Sequence, residues 1–492
     1  MSDSDKSSAS RYPRIGSHRT LDAFREHLRS LAPDVPVDDA IVAGEDSPLA
    51  CPISVAGVDV GNRWVIHPME GWDAETDGNP SELTLRRWRN FGLSGAKLIW
   101  GGEAVAVTPE ARANPNQLYV ADHSVAGLAR LRQTLLAAHR GRFGSDDDLL
   151  LGLQLTHSGR FSQPFEKGRA EPRVAFRHPV LDARVGVDDD SFVLTDGEVD
   201  GIIETFVDGA VKAASVGYQF VDVKHCHGYL LHEFLGAHTR DGRFGGSFEN
   251  RTRILRDIVG GIRRDAPELA IGVRVSIFDV IPYRVNSDDP EGPGQPAEYP
   301  SGGYRWGFSI DADDPTLPAL EEGRRFLDLL RELGIEMVNL TGGSPYYNPH
   351  VQRPALYPPS DGYRPPEDPL LGVARHLRIV RDLKREYPDL VVIGSALSYL
   401  QEYLPHVSQA LIRDGWMDMV GLGRMVLSYW DLPADCLEKG ELVKKRICRT
   451  FSDCTTGPRN GLISGCFPLD PYYRDRPEAV TLRDVKRDAK RS

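Results

Sequence analysis

The feature that most narrows the fold is where this chain keeps its long and short connections. Short apolar runs at residues 64–67, 97–100, 149–155, 220–223, 271–277, 337–340, 390–393 and 417–422 read as buried strands. Segments with helical spacing of apolar residues fall between and after them, at 83–91, 125–139, 198–214, 249–264, 320–333, 373–386, 399–413 and 433–446. Links from a helix to the next strand are tight, as in Gly92-Leu93-Ser94-Gly95, Gly217-Tyr218, Gly334-Ile335 and Gly415-Trp416. Links from strand to helix are long at 158–195, 278–318 and 342–369. Eight strand–helix units with the excess length on one side predict an α/β chain folded as a (β/α)8 TIM barrel. Its functional groups would gather at the C-terminal ends of the strands. A doubly wound sheet is the runner-up, but no Gly-x-Gly-x-x-Gly follows the first strand to support it.

Around this barrel, assigned to 51–446, the sequence predicts two flanking pieces. Residues 1–50 read as an N-terminal extension, partly disordered, with a short helix near 21–31 lying on the main domain. Residues 447–492 read as a C-terminal segment holding cysteines, aromatics and a charged tail. With 492 residues, 40% of them hydrophobic, the chain can bury a large core. Its net charge of −12, without a basic block, argues against nucleic acid and against a membrane surface. The polar start and the lack of an apolar run near the ~20 residues that span a bilayer predict a cytoplasmic protein. A small-molecule substrate is the expected partner; the oligomeric state stays open, a homo-oligomer included.

The densest chemistry lies at the end of the fourth strand, where Asp222-Val223-Lys224-His225-Cys226-His227-Gly228-Tyr229-Leu230 packs four proton-carrying side chains into six positions. Such a cluster at a strand end suits gripping and protonating a bound substrate. Further on, Phe244-Gly245-Gly246-Ser247-Phe248-Glu249-Asn250-Arg251 opens a helix. Together these runs resemble the signature of the old yellow enzyme family, the FMN-dependent NAD(P)H:flavin oxidoreductases. There the pattern is roughly V-E-I-H-x-A-(H/N)-G-Y-L, followed by Y-G-G-S-x-E-N-R. The resemblance covers roughly 49–473. It lies nearest the branch resembling 2,4-dienoyl-CoA reductase, barrel domain only.

The resemblance implies an FMN site built from five strand ends. It places Pro68, Met69, Glu70 and Ala104 in the first part of the barrel and Gln154 at the flavin pyrimidine edge. Arg274 would stand against the anionic reduced ring, and Gly394, Ser395, Gly423 and Arg424 would bind the phosphate. For substrate it implies His227 as a ligand of an electron-withdrawing oxygen and Tyr229 as proton donor. Lys224 stands where the family has its other histidine, with His225 beside it. A lysine is a point charge better suited to an enolate or carboxylate than to a neutral ketone. Tyr346, Tyr347 and His350, in the turn-rich loop after strand six, are candidate lid or substrate contacts. Glu70 stands where the family has a small residue. It would oppose flavin reduction unless protonated or paired, for instance with Lys224; the alternative is a carboxylate turned to solvent.

Six cysteines in so long a chain are not a disulfide framework. Related enzymes resembling dienoyl-CoA reductase carry a 4Fe–4S cluster on roughly C-x2-C-x3-C-x11-C. Cys454 and Cys466 keep the last spacing, but Ile447 and Thr450 fall at the first two positions and Cys448 is displaced by one. A relic without a cluster is expected, a three-cysteine site being the other reading, and no metal ligands are assigned. The chain is thus expected to be an FMN enzyme that takes electrons from NADH or NADPH and reduces an activated C=C bond of a small carbonyl- or carboxylate-bearing substrate. An FMN enzyme working in the oxidising direction, and a flavin-free barrel with a binding role, remain open.

Overall fold

The structure, a computed structural model, describes residues 11–488; the Ser/Asp-rich start predicted to be disordered lies outside them. Eight parallel strands close into a barrel: β1 (Trp64–Ile66), β2 (Leu98–Ile99), β3 (Leu150–Thr156), β4 (Phe220–Val223), β5 (Ala270–Ser276), β6 (Met337–Thr341), β7 (Val391–Gly394) and β8 (Met419–Leu422). Each pairs with the next, β8 pairs back on β1, and the β2–β3 pairing completes the ring. The TIM barrel read from the sequence is the fold observed. Helices α1 (Glu82–Gly92), α2 (Val125–Phe143), α3 (Asp196–Ser215), α4 (Arg253–Asp265), α5 (Glu321–Glu332), α6 (Pro369–Glu386), α7 (Leu404–Arg413) and α8 (Leu432–Lys439) follow the strands in order and surround the barrel.

Two apolar clusters explain why every strand is buried on both faces. One fills the barrel interior with Val65, Leu98, Trp100, Leu150, Phe220, Met337, Ile393 and Met419. The other lies between strands and helices, and also takes in Ile15, Phe24 and Leu28 of the N-terminal extension. There the helix Leu21–Leu31 stacks Phe24 on Tyr403 at 4.1 Å between ring centroids. Sequence periodicity missed the antiparallel hairpin of Ile53–Val55 and Val58–Val60, whose Val55 and Val60 join the interior cluster. Its turn needs Ala56 and Gly57 at φ 53° and 73°, the left-handed pair of a tight hairpin.

Three helix limits differ from the periodicity. The helix expected at 249–264 is divided into Phe248–Arg251 and α4, because Thr252 Oγ1 donates to Phe248 O at 2.8 Å and bends the chain there. That expected at 399–413 is interrupted at Gln401, φ 52°. The last ends at Lys439 because Gly440 takes a left-handed cap. Strand two also breaks at Gly101, φ 99°, and resumes as Ala104–Ala106 along the outer half of β3. A Cβ at Gly101 would lie 2.5 Å from Gln154 N, so only glycine lets the two backbones approach there. No helix among the described residues is long and apolar enough to cross a membrane.

One buried carboxylate ties three strands together under the functional face. Asp222 accepts from Trp100 Nε1 at 2.7 Å, Gln154 Nε2 at 2.5 Å and Arg274 N at 2.7 Å. Burial pushes its carboxyl up to about 6 against these donors. Replacing it strands three buried donors, each costing about 1–3 kcal/mol. Asp222→Ala is therefore expected to lower stability by roughly 3 kcal/mol or more in urea unfolding, with m unchanged. A loss under about 1 kcal/mol would show that the carboxylate is not the tie described here.

Candidate active site

The strand ends build a cavity in which cations outnumber carboxylates. Its lining includes His67, Pro68, Met69 and Glu70 after β1, Gln154 from β3, Lys224 and His227 after β4, and Arg274 from β5. Ser395 after β7 and Gly423 and Arg424 after β8 complete the ring. Arg353 and, from the C-terminal segment, Cys454, Thr455 and Arg459 line its outer side.

A ladder of ion pairs fixes the loop after β1. Arg87 of α1 donates to both Asp73 oxygens at 2.7 and 2.8 Å and to Glu103 at 2.9 Å, all three side chains being buried. Glu103 in turn accepts from Gly71 N at 2.5 Å. Burial raises the Glu103 carboxyl to about 7 although Arg87 opposes the shift. The adjacent Glu70 is thereby held over β4, where it pairs with Lys224 Nζ. Its second oxygen accepts from Tyr229 Oη at 2.8 Å, and Tyr229 Oη meets Tyr346 Oη at 2.8 Å. Lys224 lies 3.8 Å from the Tyr229 ring centroid, and Tyr346 stacks on Phe161 at 4.1 Å. Glu70 is thus ion-paired rather than turned to solvent. Burial first, then the Glu70 charge, holds the Tyr229 phenol well above its usual range.

The histidines facing the cavity are neutral imidazoles. His67 bridges Asn339 Nδ2 at 3.1 Å and Ser395 Oγ at 3.2 Å, and burial beside Arg274 keeps it well below the ordinary range. His227 has φ 72°, which turns its ring inward after β4. Ser276 Oγ accepts its N–H at 3.1 Å and Ser344 Oγ donates to its carbonyl at 2.7 Å. Its Nε2 lies 3.0 Å from Gln352 Nε2, and burial with Arg274 and Lys224 nearby keeps the ring uncharged.

The arginines have bonding capacity to spare. Arg274 Nε, Arg353 Nη2 and Arg424 Nη1 are buried and have no hydrogen-bond partner. Burial lowers the pKa of all three, and crowding by Arg459 and Arg424 adds to this at Arg353. A guanidinium stays charged under such pressure, so the cavity offers unpaired positive donors to an anionic ligand.

Other expected site residues stand elsewhere. Strand alternation sends His225 to the opposite side from Lys224; its Nδ1 bonds Val223 O at 2.8 Å and its ring meets Phe326 of α5. Tyr347 points at Asp279, and His350 Nδ1 bonds Tyr363 Oη at 2.7 Å, so neither lines this cavity. Ala104 is fully buried and pairs with Gln154, while Gly394 sits against Met417, where a Cβ would fall 2.5 Å from its sulfur. Tyr229 reaches the cavity only through Glu70 and Tyr346. His67, Arg353 and Arg459 escaped the sequence reading. Cys448, Cys454 and Cys466 line one small cavity beside Arg424. Burial raises all three thiols, Cys448 to about 11. No group of His, Cys, Asp and Glu among the described residues is arranged to hold a metal ion.

A model of the NADH:flavin oxidoreductase / NADH oxidase family matches residues 48–293. The chain belongs to this family. An NADPH dehydrogenase of Geobacillus sp. (strain WCH70) is 28% identical over 253 residues, 49% of this chain and 66% of its own. One from Clostridium acetobutylicum is 30% identical over 225 residues, 44% of this chain and 60% of its own. The chain thus spans less than two thirds of either relative. An NADH:flavin oxidoreductase of Gibberella zeae is 24% identical over 388 residues, 76% of this chain and 81% of its own. Among solved structures, 2-naphthoyl-CoA reductase with 2-naphthoyl-CoA superposes at TM-score 0.62 with 18% identity, over 88% of this chain and 58% of that one. Histamine dehydrogenase from Rhizobium sp. 4-9 superposes at 0.57 with 18% identity, over 87% and 53%. At this identity the likeness speaks for the barrel alone.

The Lys224–Glu70 ion pair at the cavity makes a stability prediction. Lys224 is 1% exposed at its side chain and Glu70 20%, so removing Glu70 leaves a buried ammonium with one hydrophobic neighbour ring. Glu70→Ala should cost about 2 kcal/mol, below the range for a fully buried pair because Glu70 is partly wet. Glu70→Leu combined with Lys224→Met should recover most of that loss. Additive losses in the double variant would show that the two side chains are not coupled.

Proposed function

We propose that this protein is an FMN-dependent NAD(P)H oxidoreductase that reduces an activated C=C bond of a small carbonyl- or carboxylate-bearing substrate. The observation that carries the reading is the set of buried guanidinium nitrogens on Arg274, Arg353 and Arg424, without partners, around a cavity at the strand ends. That donor set suits a ligand with an anionic ring and a phosphate, and FMN is such a ligand. Arg424 and Arg353, with the backbone at Ser395 and Gly423, would hold the phosphate, and Arg274 and Gln154 the ring. When bound, FMN supplies hydride acceptance from NAD(P)H and hydride donation to the substrate alkene.

This chain's residues handle the oxygen and the proton. Neutral His227, whose Nε2 accepts from Gln352 and whose proton therefore sits on Nδ1, offers that N–H to the electron-withdrawing oxygen of the substrate, and the positive charges of Arg274 and Lys224 stabilise the enolate character that develops there. Lys224 does so from within its pair with Glu70 rather than as a free ligand. Tyr346 is the phenol that lines the cavity, so it stands where a proton can pass to the substrate α-carbon. Tyr229, Glu70 and Lys224 form a hydrogen-bonded line behind it: Glu70 accepts from both Lys224 and Tyr229 and so fixes the Tyr229 hydroxyl against that of Tyr346, holding the latter in place.

The half-reactions separate these roles. In an anaerobic absorbance titration, the flavin band should bleach with NADPH or NADH and return with an enone. Bleaching by a substrate without nicotinamide would favour the oxidising direction, and a protein that takes up no FMN would end the proposal. Tyr229→Phe should slow reoxidation by an enone at least about tenfold and spare reduction by nicotinamide. Arg274→Ala should weaken FMN retention or lower its potential; equal binding and potential would remove Arg274 from the site.

A further inference from the structure

A second cavity of about 550 Å³ adjoins the first, and the two share Trp72, Pro345, Tyr346, Pro458 and Arg459 as common walls. Arg160, Lys167, Arg184, Arg284 and Arg459 line it, against the single carboxylate of Asp361. This is a local excess of positive charge in a chain whose net charge is −12. Three of the cations are neutralised: Arg160 by Asp182 and Glu233, Arg284 by Glu298, and Arg459 by Asp361. Two are not. Lys167 Nζ donates only to Gly461 O at 3.2 Å and Arg184 Nη2 to Tyr283 O at 2.8 Å, with no carboxylate partner for either among the described residues.

Two further features give the place the character of a ligand site. Trp72, in the wall between the cavities, has φ 46°, a conformation rare for a bulky residue, and its buried indole N–H has no acceptor. On the far side the half-buried Tyr283 tilts against the buried Tyr363 at 5.8 Å between centroids, an aromatic wall beside the free cations. A planar group and an anionic group can thus be met together, a short way from the inner cavity.

We infer that this outer cavity binds the phosphate-bearing end of a ligand whose reactive end occupies the inner cavity. Lys167 and Arg184 receive the charge, Tyr283 and Tyr363 the adjoining planar part, and Trp72 donates at the neck. Two ligands carry this chemistry: the pyridine nucleotide that delivers hydride, and an acceptor with a phosphorylated tail. The inference rests on the proposed reading of the inner site, since it takes the two cavities as ends of one binding track.

The test uses the full chain loaded with FMN, the double variant Lys167→Ala/Arg184→Ala, and Arg331→Ala on the far side of the barrel as control. Stopped-flow reduction gives an apparent Kd for NADPH. Reoxidation gives one for an enone bearing a terminal phosphate on a flexible linker. The double variant should weaken one of them roughly tenfold, more at low salt than at high. An effect on reduction identifies the nucleotide as occupant, and an effect on reoxidation identifies the acceptor. Calorimetric titration with inorganic pyrophosphate and with NADP+, on FMN-loaded and FMN-free protein, needs no turnover. Loss of that binding in the double variant supports the site even if the flavin chemistry fails. Binding that is absent in the parent protein, or equal in the double variant, together with unchanged kinetics in both half-reactions, overturns it.

Discussion

The active face depends on a lysine that is buried where a charge is costly. The Lys224 ammonium, at the end of β4, is stabilised by one carboxylate, Glu70, from the end of β1, and by the face of Tyr229. A charge as buried as the Lys224 ammonium is costly without its partner, while Glu70 is partly reached by solvent. Much of the surrounding structure serves to keep Glu70 in reach. Arg87, Asp73 and Glu103 lock the loop that carries it, and Tyr229 takes its second oxygen. The same pair occupies the lysine, and Tyr346 is the phenol that lines the cavity.

Beneath this pair lies a second constraint, the Asp222 carboxylate. It fixes Gln154 and the Arg274 backbone relative to β4, so the proposed ring contacts cannot shift independently of Lys224. Above it the arginines do the opposite of pairing. Arg274, Arg353 and Arg424 keep buried nitrogens without acceptors, which is an unfavourable arrangement until an anion arrives. A rigid carboxylate floor and an unsatisfied cationic wall make a pocket formed in advance for an anionic ligand.

The barrel was legible because its signal is repetitive. Eight apolar runs, helical periods and one-sided loop lengths all pointed the same way. The hairpin at 53–60 was not, since strands of three residues are too short to show alternation against background. Helix breaks at Thr252 and Gln401 depend on local hydrogen bonds and dihedrals that periodicity does not see. Of the residues that the family resemblance placed at the strand ends and in the loop after strand six, Pro68, Met69, Glu70, Gln154, Lys224, His227, Arg274, Tyr346, Ser395, Gly423 and Arg424 line the cavity. His225 was misjudged by one position of strand alternation, while Tyr347 and His350 were misjudged because a loop's side-chain directions follow no period. Arg353 and Arg459 were missed for the same reason.

By itself, the sequence determined the barrel, its functional face and the family, because strand period, loop asymmetry and the motif after β4 are local patterns. Only the tertiary structure decided the state of Glu70, the route from Tyr229 to the cavity, and the junction of inner and outer cavities. Lys224 and Glu70 stand 154 positions apart, and Arg459 reaches the Tyr346 ring across 5.3 Å from the C-terminal segment. Contacts between such distant stretches arise when the barrel closes and brings all strand ends to one rim. No spacing along the chain encodes which side chains will then lie within a hydrogen bond of one another.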